Sequence, residues 1–206
     1  MLKLSVRQQN RKKCWVFMKN SGLDRRIKYT KKTIRHSFLS LLFDKPMGKI
    51  TVKEICELAD INRTTFYSHY NDVYDLMDKI EEEFYREVQD SVRYMITEDF
   101  TGIMPIEILK KFRENEELCR VMFGKYGDKE FIRKMMYFAE EDSLEDWKKL
   151  YPDLTEEKLE WLYGFIVNGC AGIIQKWVES GFRAEPEEMA QFMAQMFRCC
   201  VKALGR

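Results

Sequence analysis

Apolar residues recur along this chain every three or four positions from about Tyr29 to Leu204, with polar residues between them. An α-helix that buries one stripe produces that period. A first helix is predicted over Tyr29–Phe43, with Ile34, Phe38, Leu41 and Leu42 on one face and Asp44-Lys45-Pro46-Met47-Gly48 ending it. Between Ile50 and Tyr70 the stripe splits into two short pieces. Val52, Ile55, Leu58 and Ala59 form the apolar face of one helix, and Phe66 and Tyr70 that of the next. Thr51 and Glu54 have the spacing of a capping box, and Asn62, after the break at Asp60-Ile61, is a favoured N-cap residue. A long helix then starts near Asn71-Asp72 and runs to about Ile96, carrying Val73, Leu76, Met77, Ile80, Phe84, Val88, Val92 and Met95.

Beyond Gly102 the same period predicts helices at about 105–123, 128–150, 155–180 and 186–204. All four prolines (46, 105, 152 and 186) fall at helix boundaries, where their missing N–H does no harm. No stretch alternates strictly enough for a strand, and no 20–50-residue repeat signals a solenoid. The fold class is all-α. The last two helices have wide apolar faces, Trp161, Leu162, Phe165, Ile166, Ile173, Ile174, Trp177 and Val178 on one and Met189, Phe192, Met193, Met196, Phe197, Val201 and Leu204 on the other. Gly164, Gly169 and Gly172 interrupt the first of them at about 1 kcal/mol each, tolerable where another helix must come close. Such faces suit either a core within one chain or half of a four-helix bundle completed by a second copy.

Charge adds a division that hydropathy does not show. The net charge of +1 over 206 residues hides 16 Lys/Arg against 5 Asp/Glu in residues 1–70, and 19 against 29 in residues 71–206. A basic third on an acidic remainder fits a nucleic-acid-binding head on a body with another task. Lys3, Arg7, Arg11, Lys12 and Lys13 contribute to that excess, yet residues 18–70 alone still carry +6. Two readings stay open for the basic arm: a phosphate-binding extension, or a segment upstream of a true start at Met18. No apolar run reaches the roughly 18 residues of a membrane span. The six cysteines (14, 56, 119, 170, 199 and 200) lack metal-finger spacing, which points to reduced thiols and a cytoplasmic location. No phosphate loop, nucleophile elbow or histidine–carboxylate–nucleophile set occurs, so neither catalysis, a cofactor nor a metal is expected.

The pattern at Ile50–Tyr70 is that of a helix-turn-helix, whose second helix enters the DNA major groove. The residues Thr51-Val52-x-x-Ile55, Ala59-x-Ile61-x-x-x-Thr65-Phe66-Tyr67-x-His69-Tyr70 and Asp75-Leu76 resemble the tetracycline-repressor (TetR) family of regulators, over about residues 27–85. Gly169-x-x-Gly172-Ile173-Ile174-x-x-Trp177 is similar to the C-terminal region of one branch of that family. The resemblance implies an all-helical homodimer with a ligand-responsive C-terminal domain. It divides the chain into a basic extension (1–22), a three-helix DNA-binding domain (23–86) and a helical effector-binding and dimerisation domain (87–206). The chain departs from the family pattern at Asp60 and Thr64, where many members have Gly, and at Asp72-Val73, where a Ser-Lys pair is usual. The last change removes one expected phosphate contact.

Within that frame Arg63, Thr64 and Thr65 begin the recognition helix and are the candidate base readers, Arg63 suiting a bidentate contact to guanine. Tyr67, Ser68, His69 and Thr51 are placed for phosphate oxygens, as is Lys28 from the first helix with Lys31 and Lys32 beside it. An effector pocket is expected to be lined by Tyr126, Met135, Phe138, Trp147, Trp161 and Phe165, with Phe131 and Met136 nearby. The expected partners are a double-stranded DNA operator, a second copy through the helices at about 155–180 and 186–204, and a small-molecule effector, with no membrane. The function this predicts is a sequence-specific repressor released by its effector; the alternative is a co-activator that uses the same fold on a protein partner.

Overall fold

The computed structural model describes residues 25–93 and 106–204. Among these residues every regular element is a helix. α1 covers residues 25–44 and is followed by a 3₁₀ turn, Met47–Lys49. Then come α2 (Val52–Ala59), α3 (Arg63–Tyr67) and the long α4 (Val73–Arg93). After residue 105 follow α5 (Ile106–Glu114), α6 (Glu116–Met122), α7 (Lys129–Tyr137), α8 (Glu140–Leu150), α9 (Glu156–Glu179) and α10 (Pro186–Leu204). The predicted arm at 1–22, the end of the long helix at Met95 and Ile96, and the side chains of Val92, Val201 and Leu204 lie outside the described residues.

One apolar core runs from Ile34 and Phe38 of α1, through Ile55, Phe66, Leu76, Phe84 and Val88, to Leu109, Leu118, Trp177 and Met193. The long helix carries that core out of the first three helices and against α5, which also packs on α10. A smaller cluster of Trp147, Leu159, Leu162, Tyr163 and Phe197 joins α8, α9 and α10. Leu58 differs from the expectation. It is 56% exposed, and Cys56 takes the buried position on α2 instead.

Two predicted helices are broken. The 105–123 helix divides at Asn115, and the 128–150 helix at Phe138-Ala139. Asn115 does not cap α6 with its side chain. Its Oδ1 accepts from Arg35 of α1 at 2.7 Å, and its Nδ2 donates to Glu87 of α4 at 3.2 Å. Arg35 also reaches Glu83 at 3.4 Å, and His36 meets Glu117 of α6 at 2.7 Å. The break at Asn115 thus sits where α1, α4 and the α5–α6 corner exchange hydrogen bonds.

Candidate nucleic-acid interface

The two short helices are specified at their ends by side chains close in sequence. Thr51 Oγ1 accepts from the Glu54 amide at 3.3 Å, while a Glu54 carboxylate oxygen accepts from the Thr51 amide at 3.0 Å, a complete capping box. Lys45 reaches Glu54 at 2.5 Å, and its hydrogen bond, with those from Thr51, pulls the Glu54 carboxyl down to about 2. α2 ends at Asp60, whose φ of 52° lies in the left-handed region. That region favours glycine and tolerates Asp and Asn, so Asp60 can hold it where most residues would be strained. Asn62 Oδ1 then accepts from the Thr65 amide at 2.7 Å and opens α3.

α3 has only five residues and is held mainly from below. Phe66 is fully buried, and its ring centroid lies 5.6 Å from that of Tyr70. Arg63, Thr64, Tyr67 and Ser68 stand on the outside. The side chains of Arg63 and Thr64 carry no hydrogen bond or ion pair among the described residues, and Tyr67 is 55% exposed. Lys28, Lys31 and Lys32 are exposed on α1. Burial, and next the charge of Lys31, hold the His69 imidazole below its ordinary value. Its neutral form offers one N–H donor to an anion.

Three expected contacts are otherwise engaged. Thr51 Oγ1 donates to Glu54 at 2.9 Å, Thr65 Oγ1 to Asn62 Oδ1 at 2.9 Å, and Ser68 Oγ to the Thr65 carbonyl at 2.7 Å. Each hydroxyl has one proton to give. These hydroxyls are taken up in capping and closing the two short helices, while Arg63, Thr64, Tyr67 and Lys28 face outward. Sequence spacing placed all seven near one surface but could not tell which hydroxyls the caps would take.

The six residues expected around an effector separate into different surroundings. Met135 is buried in the main core, where Phe138 packs with its ring edge-on to Tyr85 at 6.0 Å. Trp147 belongs to the second cluster, 5.8 Å from Tyr163 and 5.7 Å from Phe197. Tyr126 is half-buried. Trp161 and Phe165 leave the set altogether, being 63% and 68% exposed on the outer face of α9. α9 is apolar around most of its circumference, so its period could not reveal which face turned inward.

That outer face continues past Gly164, Gly169 and Gly172, where an added Cβ would meet nothing within 4 Å. On α10, Phe192 and Met196 are also exposed, and Phe192 lines a groove together with Gly169 and Gly172. An open groove of about 470 Å³ lies between the two helices, lined by Gly169, Gly172, Ile173, Trp177 and Met189, with Lys176 and Arg183 also lining it. No described helix is long and apolar enough to cross a membrane.

Comparison with known proteins agrees with this geometry. Residues 103–199 match the TetR_C_8 family model, described as a transcriptional regulator C-terminal region. A TetR transcriptional regulator from Streptococcus agalactiae is similar in structure, with 24% identity, a TM-score of 0.55 and coverage of 86% of this chain and 98% of that one. The fatty acid degradation regulator FadR from Bacillus halodurans is similar at 12% identity and a TM-score of 0.61, covering 82% and 94% of the two chains. A TetR-family transcriptional regulator from Syntrophomonas wolfei is similar at 17% identity and a TM-score of 0.56, covering 84% and 96%. No curated protein matches the sequence significantly. The C-terminal region, residues 103–199, thus matches a family of transcriptional-regulator C-terminal regions, and behind a capped helix-turn-helix the chain shares its all-helical fold with TetR-family regulators.

Proposed function

We propose that this regulator is a repressor that binds its operator as a homodimer and is released by a small molecule. The observation that carries the reading is the outward row Arg63, Thr64 and Tyr67 on a helix capped by Asn62 and anchored by Phe66. Residues 23–86 form the DNA-binding domain, and residues 87–206 bind the effector and the second copy. Arg63 reads a base edge in the major groove, Thr64 contributes a hydroxyl or a methyl, and Tyr67, His69 and Lys28 hold the phosphates. The exposed face of Trp161, Phe165, Phe192 and Met196, opened by three glycines, supports pairing of α9 and α10 with the same helices of a second copy. The effector enters beside Tyr126, Met135 and Phe138, where a methionine can adjust to its shape.

An anisotropy titration on DNA flanking the gene tests the reading. Arg63→Ala is expected to cost about 1–3 kcal/mol at one base pair and to relax the preference there. Binding by the wild type that ignores sequence would overturn the proposal.

A further inference from the structure

A five-residue helix cannot fix its own direction, since isolated helices need roughly 12–15 residues to persist in water. Its aim relative to DNA must therefore come from its attachments. At its start the attachment is Asn62, and beneath it Phe66. Its far end passes through Ser68 and His69 into α4, and the last carbonyls of a helix lack partners within it.

The carbonyl of His69, the residue just past the Ser68 cap of α3, is taken by a side chain from α4. Lys79 Nζ donates to the His69 carbonyl at 3.1 Å and to Asp75 Oδ2 at 2.8 Å, and it stands 5.4 Å from the centre of the Tyr70 ring. Asp75 Oδ2 also accepts from the Asn71 amide at 2.7 Å, and Asp72 Oδ1 accepts from the Asp75 amide at 2.8 Å. A closed circuit of hydrogen bonds thus runs from His69 through Lys79 and Asp75 to Asn71. A cation at the C-terminal end of α3 also sits where the helix dipole favours it. Lys79, with an exposed stem, reaches back along α4 to the end of α3 while Arg63 and Thr64 point away at the opposite end.

We propose that Lys79 is a positioning residue that locks the recognition helix to the long helix and sets the angle at which Arg63 and Thr64 meet the bases. This inference rests on the DNA-binding reading above. The long helix that leads into the body thereby holds both the buried side of α3, through the core, and its polar end, through Lys79.

The test uses the full chain and a labelled duplex selected by the wild type from a random pool. Lys79→Met keeps the stem and removes the three donors; Lys79→Arg keeps a donor at the same place. The expected result is about a tenfold loss of affinity for the selected duplex in Lys79→Met, the scale of one charge-assisted hydrogen bond. Affinity for a scrambled duplex and the dependence on salt stay at wild-type values, and Lys79→Arg restores most of the loss. If Lys79→Met instead weakens both duplexes alike and makes the salt slope shallower by about 0.9, Lys79 is a phosphate contact and the proposal falls. Unchanged affinity in Lys79→Met also overturns it. Failure of the wild type to select any sequence removes the DNA-binding reading, and the proposal with it; the wild-type arm keeps that failure distinct from the others.

Discussion

Glu81 lies on α4, half-buried, and its Oε1 is enclosed with no hydrogen-bond partner among the described residues. Burial first, then the charges of Asp128 and Asp78, push its carboxyl up to about 7 from an ordinary 4.5, while Lys134 opposes them. A carboxyl raised in the folded state adds stability below its unfolded value, and that stability is lost as pH climbs through the folded one. The relevant window is therefore about pH 4.5 to 7. Taken in full the gap corresponds to about 3.4 kcal/mol, at about 1.4 kcal/mol per tenfold in proton affinity. The side chain keeps much of its contact with water, so screening reduces this to about 1–2 kcal/mol. Glu81→Gln removes the charge that Asp128 and Asp78 oppose, at nearly constant shape. The variant is expected to exceed the wild type by about 1–2 kcal/mol at pH 8, raising Tm by about 3–6 °C for a chain of this length. The difference should shrink towards zero at pH 4. Thermal unfolding followed by circular dichroism at both pH values measures it. An equal gain at the two pH values, or a loss at pH 8, would refute the assignment of strain to the ionised carboxylate.

Asp60→Gly is expected to stabilise the head by about 0.5–1 kcal/mol, since glycine accepts a φ of 52° without a Cβ clash; a shift in the urea midpoint reports it. Phe165→Ala with Trp161→Ser should shift sedimentation towards monomer while leaving the helical circular dichroism intact, because both rings are mostly exposed in one chain. A dimer of unchanged affinity would place the interface elsewhere. Glu54 has a carboxyl drawn down to about 2, so its contribution is complete above pH 4.5 and is lost as pH falls through the range between. Glu54→Gln should therefore lower stability at pH 7 and differ little from the wild type at pH 2, as acid titration of the ellipticity would record.

The head was readable from sequence because its determinants are local. Thr51 and Glu54, or Asn62 and Thr65, lie within one helical turn, and the capping bonds follow directly from their spacing. The body was less readable. Asn115 ends a helix through bonds to Arg35 and Glu87, distant in sequence by many turns, and no proline or glycine marks the place. Ala139 precedes α8 without any capping side chain. The direction of Trp161 and Phe165 was hidden because α9 has apolar residues on both its inner and outer faces. Lys79 stands four residues after Asp75, a spacing that suggests the ion pair, but nothing in the sequence announces that the His69 carbonyl would complete it.

The division of labour on α3 has a consequence for how such a protein can diversify. Asn62, Phe66, Tyr70 and Lys79 hold the helix, while Arg63, Thr64 and Tyr67 face away from it, and the two groups share no member. Substitutions at Arg63 and Thr64 leave the caps, the buried rings and the tether untouched, whereas Tyr67 also packs edge-on against Phe66 at 5.6 Å. A duplicated copy of this gene could therefore change its outward surface at Arg63 and Thr64 in a few steps, each intermediate still folded.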